Sequence, residues 1–135
     1  MKRALVSYLA TGTVFLVLDA IWLASMANRL YRPQLGDMLL DGFRLAPAIV
    51  FYMLYIAGVV VFAVNPAFIS GRSSTALFHG AFLGLIAYAT YDLTNLATLK
   101  NWPFTVTIAD MVWGTTVTAI AATAGYLITR KLVAA

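Results

Sequence analysis

Four long apolar runs, separated by short polar segments, dominate this sequence of 135 residues. They cover residues 4–27, 46–64, 75–99 and 107–128, and each is close to the ~20 residues that a helix needs to cross a bilayer. Hydrophobic residues make up 62% of the chain and charged residues 10%, whereas a soluble domain has about half and about a quarter. We therefore predict an all-α polytopic membrane protein, with residues 1–135 forming a single domain of four transmembrane helices.

The basic residues lie singly or in pairs at the ends of these runs and form no continuous basic face. This distribution is typical of membrane topology rather than of nucleic-acid binding, so we expect the lipid bilayer as a partner and no nucleic acid. Four spans put both termini on one side, and the flanking basic residues favour the cytoplasm for that side. The side then holds Lys2, Arg3, Arg72, Arg130 and Lys131.

The long connection between the first two runs combines charged residues with leucine, methionine and phenylalanine. After Pro33, residues 34–44 have the composition of a short amphipathic helix lying in the membrane interface. A solvated loop with some apolar residues explains the same stretch equally well, and both interpretations stay open. The chain also contains no cysteine, which excludes thiol catalysis and thiolate-held metals.

Three aspartates, Asp19, Asp92 and Asp110, lie inside the apolar runs. At about 1.5 Å per helical residue, all three fall roughly 5–12 Å below the same interface. An ionisable side chain at this depth costs a few kcal/mol or more, and several carboxylates without a cation cannot all stay ionised. We predict that they converge on a site where at least one holds a proton, shares it or binds a cation. Pairing with Lys100, reaching down from the interface, is the structural alternative.

Helical spacing puts aromatic and polar side chains beside these acids. Carboxylates surrounded by aromatic rings are typical of sites for organic cations. An interfacial aromatic belt and simple core filling explain the same rings without a ligand, and bonding between helices explains Asn95. The candidate residues for binding a substrate or proton are Asp19, Trp22, Tyr52, Tyr55, Tyr88, Tyr91, Asp92, Asn95, Asp110 and Trp113.

Glycines share the helix faces that carry the acids, which favours close packing between helices. Gly80 and Gly84 form a GxxxG pattern, and such faces also offer surfaces for a homo-oligomer. Residues 18–25 resemble residues 91–98, which predicts two repeated helical hairpins. His79 should lie at the opposite interface, about 20 Å along the helix from Asp92. We therefore expect no metal site and no cofactor.

Several segments of the chain resemble a family of small bacterial membrane proteins catalogued as domain of unknown function 2177. The segments are FYMLYIAG (51–58), FAV (62–64) with Pro66, YATYDLTNLATL (88–99), WP (102–103) and DMVWG (110–114). The likeness covers almost the whole chain. It implies a four-helix protein of the bacterial inner membrane, and it assigns no catalytic residue.

The leading functional hypothesis is a small proton- or cation-coupled transporter whose acids exchange a proton for a cationic or polar solute. The alternatives are a membrane-embedded enzyme for a lipid or isoprenoid, with Asp92 or Asp110 as general acid or base, and an accessory subunit with purely structural acids. Transport predicts an opening to both leaflets or an oligomer axis at the acids, and an enzyme predicts a closed pocket with a side portal to lipid. An accessory role predicts acids that are fully hydrogen-bonded, with no cavity.

Overall fold

The computed structural model describes residues 1–134, and in this range every regular element is a helix. We number the four long helices α1 (Lys2–Met38), α2 (Leu45–Ser70), α3 (Ser73–Thr98) and α4 (Phe104–Ala134). Each is long and apolar enough to cross a membrane. The predicted all-α architecture of four spanning helices is therefore confirmed.

Helix α1 extends further than its apolar run. A π-helical turn at Ala27–Tyr31 leads into a short α-helical segment at Arg32–Leu35 and a 3-10 turn at Gly36–Met38. Pro33 lies in the first turn of that short segment. The interfacial helix considered for residues 34–44 is wrong. Gly36, with a φ of 54°, departs from α-helical geometry, and residues 39–44 are not helical.

Helix α2 continues past Pro66 to Ser70, beyond the end of its apolar run. Pro66 has no N–H for the carbonyl of Phe62, four residues earlier in the helix. That carbonyl instead accepts a hydrogen bond from Nδ1 of His79 on α3, over 3.2 Å. His79 therefore satisfies a backbone group that the proline leaves without its helical partner. Gly71, with a φ of 72°, then ends α2 and lets the chain reverse into α3.

Helix α4 lies at the centre of the packing, with its most extensive contacts to α3 and α1. Close approach of α3 and α4 depends on glycine: a Cβ atom on Gly84 would lie 2.3 Å from the carbonyl oxygen of Gly114. A Cβ on Gly80 would lie 2.9 Å from that of Ala122. The GxxxG face is thus buried inside the bundle, which corrects our expectation that it offers a surface for self-assembly.

The hydrophobic core fills the half of the bundle nearer the chain termini. Phe15, Val59, Val64, Val117 and Tyr126 are among its most deeply buried members. Helices α3 and α4 contact each other far more extensively than α1 and α2 do, so the two hairpins pack differently. The opposite half, where α1 leads to α2 and α3 leads to α4, holds the aspartates.

We predict that Gly84→Ala lowers the free energy of unfolding by about 1–3 kcal/mol, because the added methyl group meets an immovable backbone carbonyl. Gly58→Ala is the matched control, since nothing lies within 4 Å of a Cβ at that helical position. Thermal unfolding in detergent measures both variants. Equal stability of the two would contradict the role given to Gly84.

Candidate functional site

A cavity of about 360 Å³ lies between the helices at the end that holds the aspartates. All four helices contribute to its wall, and none of the residues that line it is basic. We call it the acid cavity. Its lining residues are Asp19, Trp22, Leu23, Tyr31, Phe51, Tyr52, Ala87, Tyr88, Tyr91, Asp110 and Trp113.

Asp19 is held by two neutral donors from different helices. The hydroxyl of Tyr52 on α2 donates to Oδ2 over 2.5 Å, and the indole N–H of Trp113 on α4 donates to Oδ1 over 3.1 Å. The side chain is buried, with 7% of its surface exposed. Neutral donors satisfy the oxygens and leave the charge uncompensated, so an ionised Asp19 keeps its attraction for a cation.

Asp110 lies at the other side of the same cavity. Its Oδ1 accepts a hydrogen bond from the hydroxyl of Tyr31 over 2.6 Å. The Tyr31 oxygen in turn accepts one from the indole N–H of Trp22 over 2.9 Å. The rings of Trp22 and Trp113 stack with their centroids 4.6 Å apart and their planes 5° from parallel. This stacked pair connects the hydrogen bonds at Asp19 to those at Asp110.

Asp92 differs from the other two acids because it is fully buried and no donor reaches either carboxylate oxygen. Asp110 is the acidic side chain next to its carboxyl group. Two ionised carboxylates can only accept hydrogen bonds and repel each other at such a contact. Lys100 is exposed and does not satisfy these oxygens. Neighbouring carboxyl groups without a cationic partner favour a shared proton or a bound cation.

Seven of the ten predicted site residues line the acid cavity, and three do not. The seven are Asp19, Trp22, Tyr52, Tyr88, Tyr91, Asp110 and Trp113. Asp92 contacts the site only through Asp110. Tyr55 lies deeper, hydrogen-bonded to Thr118 over 2.8 Å and edge-on to the ring of Tyr88. Asn95 is half-buried outside the lining.

The three aspartates do not form one cluster. Within residues 1–134, no group of three acidic or histidine side chains is arranged to hold a metal ion. Asp19 and Asp110 instead share a cavity, and Asp92 and Asp110 share a contact. Asp19 and Asp110 accept hydrogen bonds from neutral donors, whereas Asp92 accepts none.

Sequence reasoning missed Tyr31 and Phe51. Tyr31 follows Asn28 and Arg29, where the hydropathy falls, so the sequence predicts that it belongs to the connection. In the structure Tyr31 lines the acid cavity, because α1 continues through the π-helical turn at Ala27–Tyr31. No residue type in this segment signals such a turn. Phe51 was overlooked because an apolar side chain in an apolar run carries no distinguishing signal.

We predict that Asp92→Asn keeps or raises the thermal stability in detergent. The amide offers the Asp110 carboxylate a donor in addition to Tyr31, and the buried carboxyl group disappears. Asp92→Leu should instead be less stable than Asp92→Asn, because it offers Asp110 no hydrogen bond. A large loss of stability in Asp92→Asn would mean that the carboxyl group is needed for folding.

Comparisons with known proteins place the chain in a family. A family model described as "Predicted membrane protein (DUF2177)" matches residues 4–127, which is most of the sequence. No curated protein and no solved structure matches the chain. The matched segment includes all three aspartates and the whole lining of the acid cavity. The chain belongs to the DUF2177 family of predicted membrane proteins.

Proposed function

We propose that this protein is a proton-coupled carrier of small organic cations in the bacterial inner membrane, with both termini in the cytoplasm. The observation that carries the proposal is the acid cavity, which combines two carboxyl groups, several aromatic rings and no basic side chain. A volume of about 360 Å³ falls within the usual range for small-molecule sites.

The cavity's chemistry favours an ammonium group over an anion or a neutral solute. Asp19 supplies negative charge, and its hydrogen bonds to Tyr52 and Trp113 fix the carboxylate in place. The faces of tryptophan and tyrosine attract cations by about 0.5–2 kcal/mol each. An anion would meet uncompensated carboxylates, and a neutral solute would leave their charge buried and unpaired.

The Asp92–Asp110 pair supplies the coupling to protons. With the site empty, one proton is shared between the two carboxyl groups, since neither has a cationic partner. When an ammonium group binds beside Asp110, its charge replaces that of the proton, and the proton leaves to water. One positive charge enters as one departs, so the charge of the site stays constant and the two ligands exchange.

The ionisable groups around the pair come from three helices. They are Tyr31 and Arg32 from α1, Tyr91 from α3 and, across the cavity, Asp19 with its partner Tyr52 from α2. Tyrosine hydroxyls are neutral at physiological pH, and Arg32 is exposed and lines the adjoining cavity rather than the acid cavity, so the acids supply the charge inside the acid cavity. Four helices rarely enclose a complete pathway, and a homo-oligomer through the exposed apolar faces belongs to the proposal.

The two alternatives differ in how far the geometry supports them. An accessory subunit with structural acids requires fully hydrogen-bonded carboxyl groups and no cavity, whereas Asp92 has no donor and Asp110 lines a cavity. An enzyme for a lipid or isoprenoid is favoured by one observation, a second, largely apolar cavity next to Asp110. Lipid profiles of cells carrying Asp110→Asn test that alternative, because lost catalysis would change a lipid species.

We predict that the purified protein binds tetraethylammonium and that Asp19→Asn weakens this binding at least tenfold, about 1.4 kcal/mol. Tryptophan fluorescence reports the binding, since Trp22 and Trp113 line the cavity. Asp41→Asn is the matched control, because Asp41 is an exposed carboxylate outside the acid cavity. Equal affinities of the two variants would contradict a cation site at Asp19.

We predict that each bound cation releases about one proton. The direction of the pH dependence follows from competition between the proton and the cation for the same carboxyl groups. The affinity for the cation therefore rises with pH over the range in which the empty site holds its proton. Affinities measured across pH, together with proton release into a weakly buffered solution, check this. Asp92→Asn removes the shared proton and should flatten the pH dependence. Binding that is independent of pH in the unmodified protein would overturn the coupling.

A further inference from the structure

A second cavity, of about 700 Å³, adjoins the acid cavity. We call it the apolar cavity. Leu23, Tyr31, Tyr91 and Asp110 line both cavities, so only their side chains separate the two spaces. The remaining wall is largely apolar and comes from the last turns of α1, the non-helical residues 39–44 and the start of α4. Leu35, Met38, Leu39, Leu40, Phe43 and Val106 are among its residues.

The boundary between the cavities consists of Leu23, Asp110 and the two tyrosine rings of Tyr31 and Tyr91. Tyr31 lies there because its hydroxyl donates to Asp110. Tyr91 packs edge-on against Trp102, with 5.5 Å between the ring centroids. A ligand that takes over the carboxylate of Asp110 releases the Tyr31 hydroxyl and opens the boundary on that side. One molecule can then occupy both spaces.

The charges at the two ends fix the orientation of such a molecule. Arg32 is the basic residue that lines the apolar cavity, and its charge disfavours a cation there. The carboxylates of Asp19 and Asp110 line the acid cavity and favour a cation there. An elongated ligand therefore puts its charged group among the acids and its uncharged part against the apolar wall.

Building on the proposed function, we propose that the substrates are amphiphilic cations, whose ammonium group occupies the acid cavity and whose alkyl chain occupies the apolar cavity. The wall that the two cavities share and the apolar surface next to Asp110 carry this inference. Burial of each CH₂ group from water tightens binding by up to about fourfold. The affinities of ligands with one head group and alkyl chains of increasing length therefore measure the contribution of the apolar cavity to binding.

The test is competition against labelled tetramethylammonium by alkyltrimethylammonium ions from ethyl to octyl, below the concentrations at which they aggregate. The affinity should rise with each carbon in the unmodified protein. Ala24→Phe places a ring in the wall of the apolar cavity and should abolish most of this rise. Ala20→Phe is the matched control on the same helix, exposed and lining neither cavity, and it should keep the full rise.

A second measurement needs no change at Ala24. An octyl chain with a terminal bromine should quench the fluorescence of Trp102, which lines the apolar cavity and not the acid cavity. Trp102→Phe should lose that part of the quenching. Two results would overturn the inference and leave the proposed function standing. In one, tetramethylammonium binds but the affinity of the alkyltrimethylammonium ions does not depend on chain length. In the other, Ala24→Phe and Ala20→Phe show the same dependence on chain length. Failure of tetramethylammonium to bind overturns both.

Discussion

The contact between Asp92 and Asp110 is the constraint on which the rest of the site depends. Asp92 is fully buried, receives no hydrogen bond and lies next to another acidic side chain. Burial disfavours an ionised carboxylate, and a neighbouring acid disfavours ionisation further. A proton or a cation at this place relieves both costs. The proposed exchange of one for the other follows from these costs.

The surrounding structure holds the acids in place with neutral groups. Tyr31, Tyr52 and Trp113 donate to the aspartates without adding charge, and the stacked rings of Trp22 and Trp113 connect the two halves of the network. Below the site, glycines let α3 and α4 approach until backbone atoms meet. This close packing opposes separation of α3 and α4. We therefore expect ligand binding to rearrange side chains such as Tyr31 rather than these two helices.

Much of this arrangement was predictable from the sequence because membrane helices have a regular rise and limited lengths. Counting residues from the ends of the apolar runs put Asp19 and Asp110 at one level, and the structure places both in one cavity. The rotation of each helix about its axis was not predictable. Asp92 therefore turned out to face Asp110 rather than the cavity, and Asn95 lies outside the lining.

The α-helical part of α1 ends at Met26, close to the end of its apolar run, but helical turns continue to Met38. Hydropathy marks where a chain leaves the hydrocarbon and does not indicate such a continuation. Tyr31 and the wall of the apolar cavity come from that extension. The hydrogen bond of His79 was also not predictable from the sequence. Its partner is the backbone carbonyl of Phe62, which belongs to a different helix.

Infrared spectroscopy of the carboxyl groups tests the central claim most directly. At neutral pH without ligand, the unmodified protein should show the C=O band of one protonated carboxyl group. Asp92→Asn and Asp110→Asn should each remove that band, whereas Asp41→Asn should keep it. Addition of tetraethylammonium should remove it from the unmodified protein. A spectrum in which every aspartate is ionised at neutral pH would contradict the account.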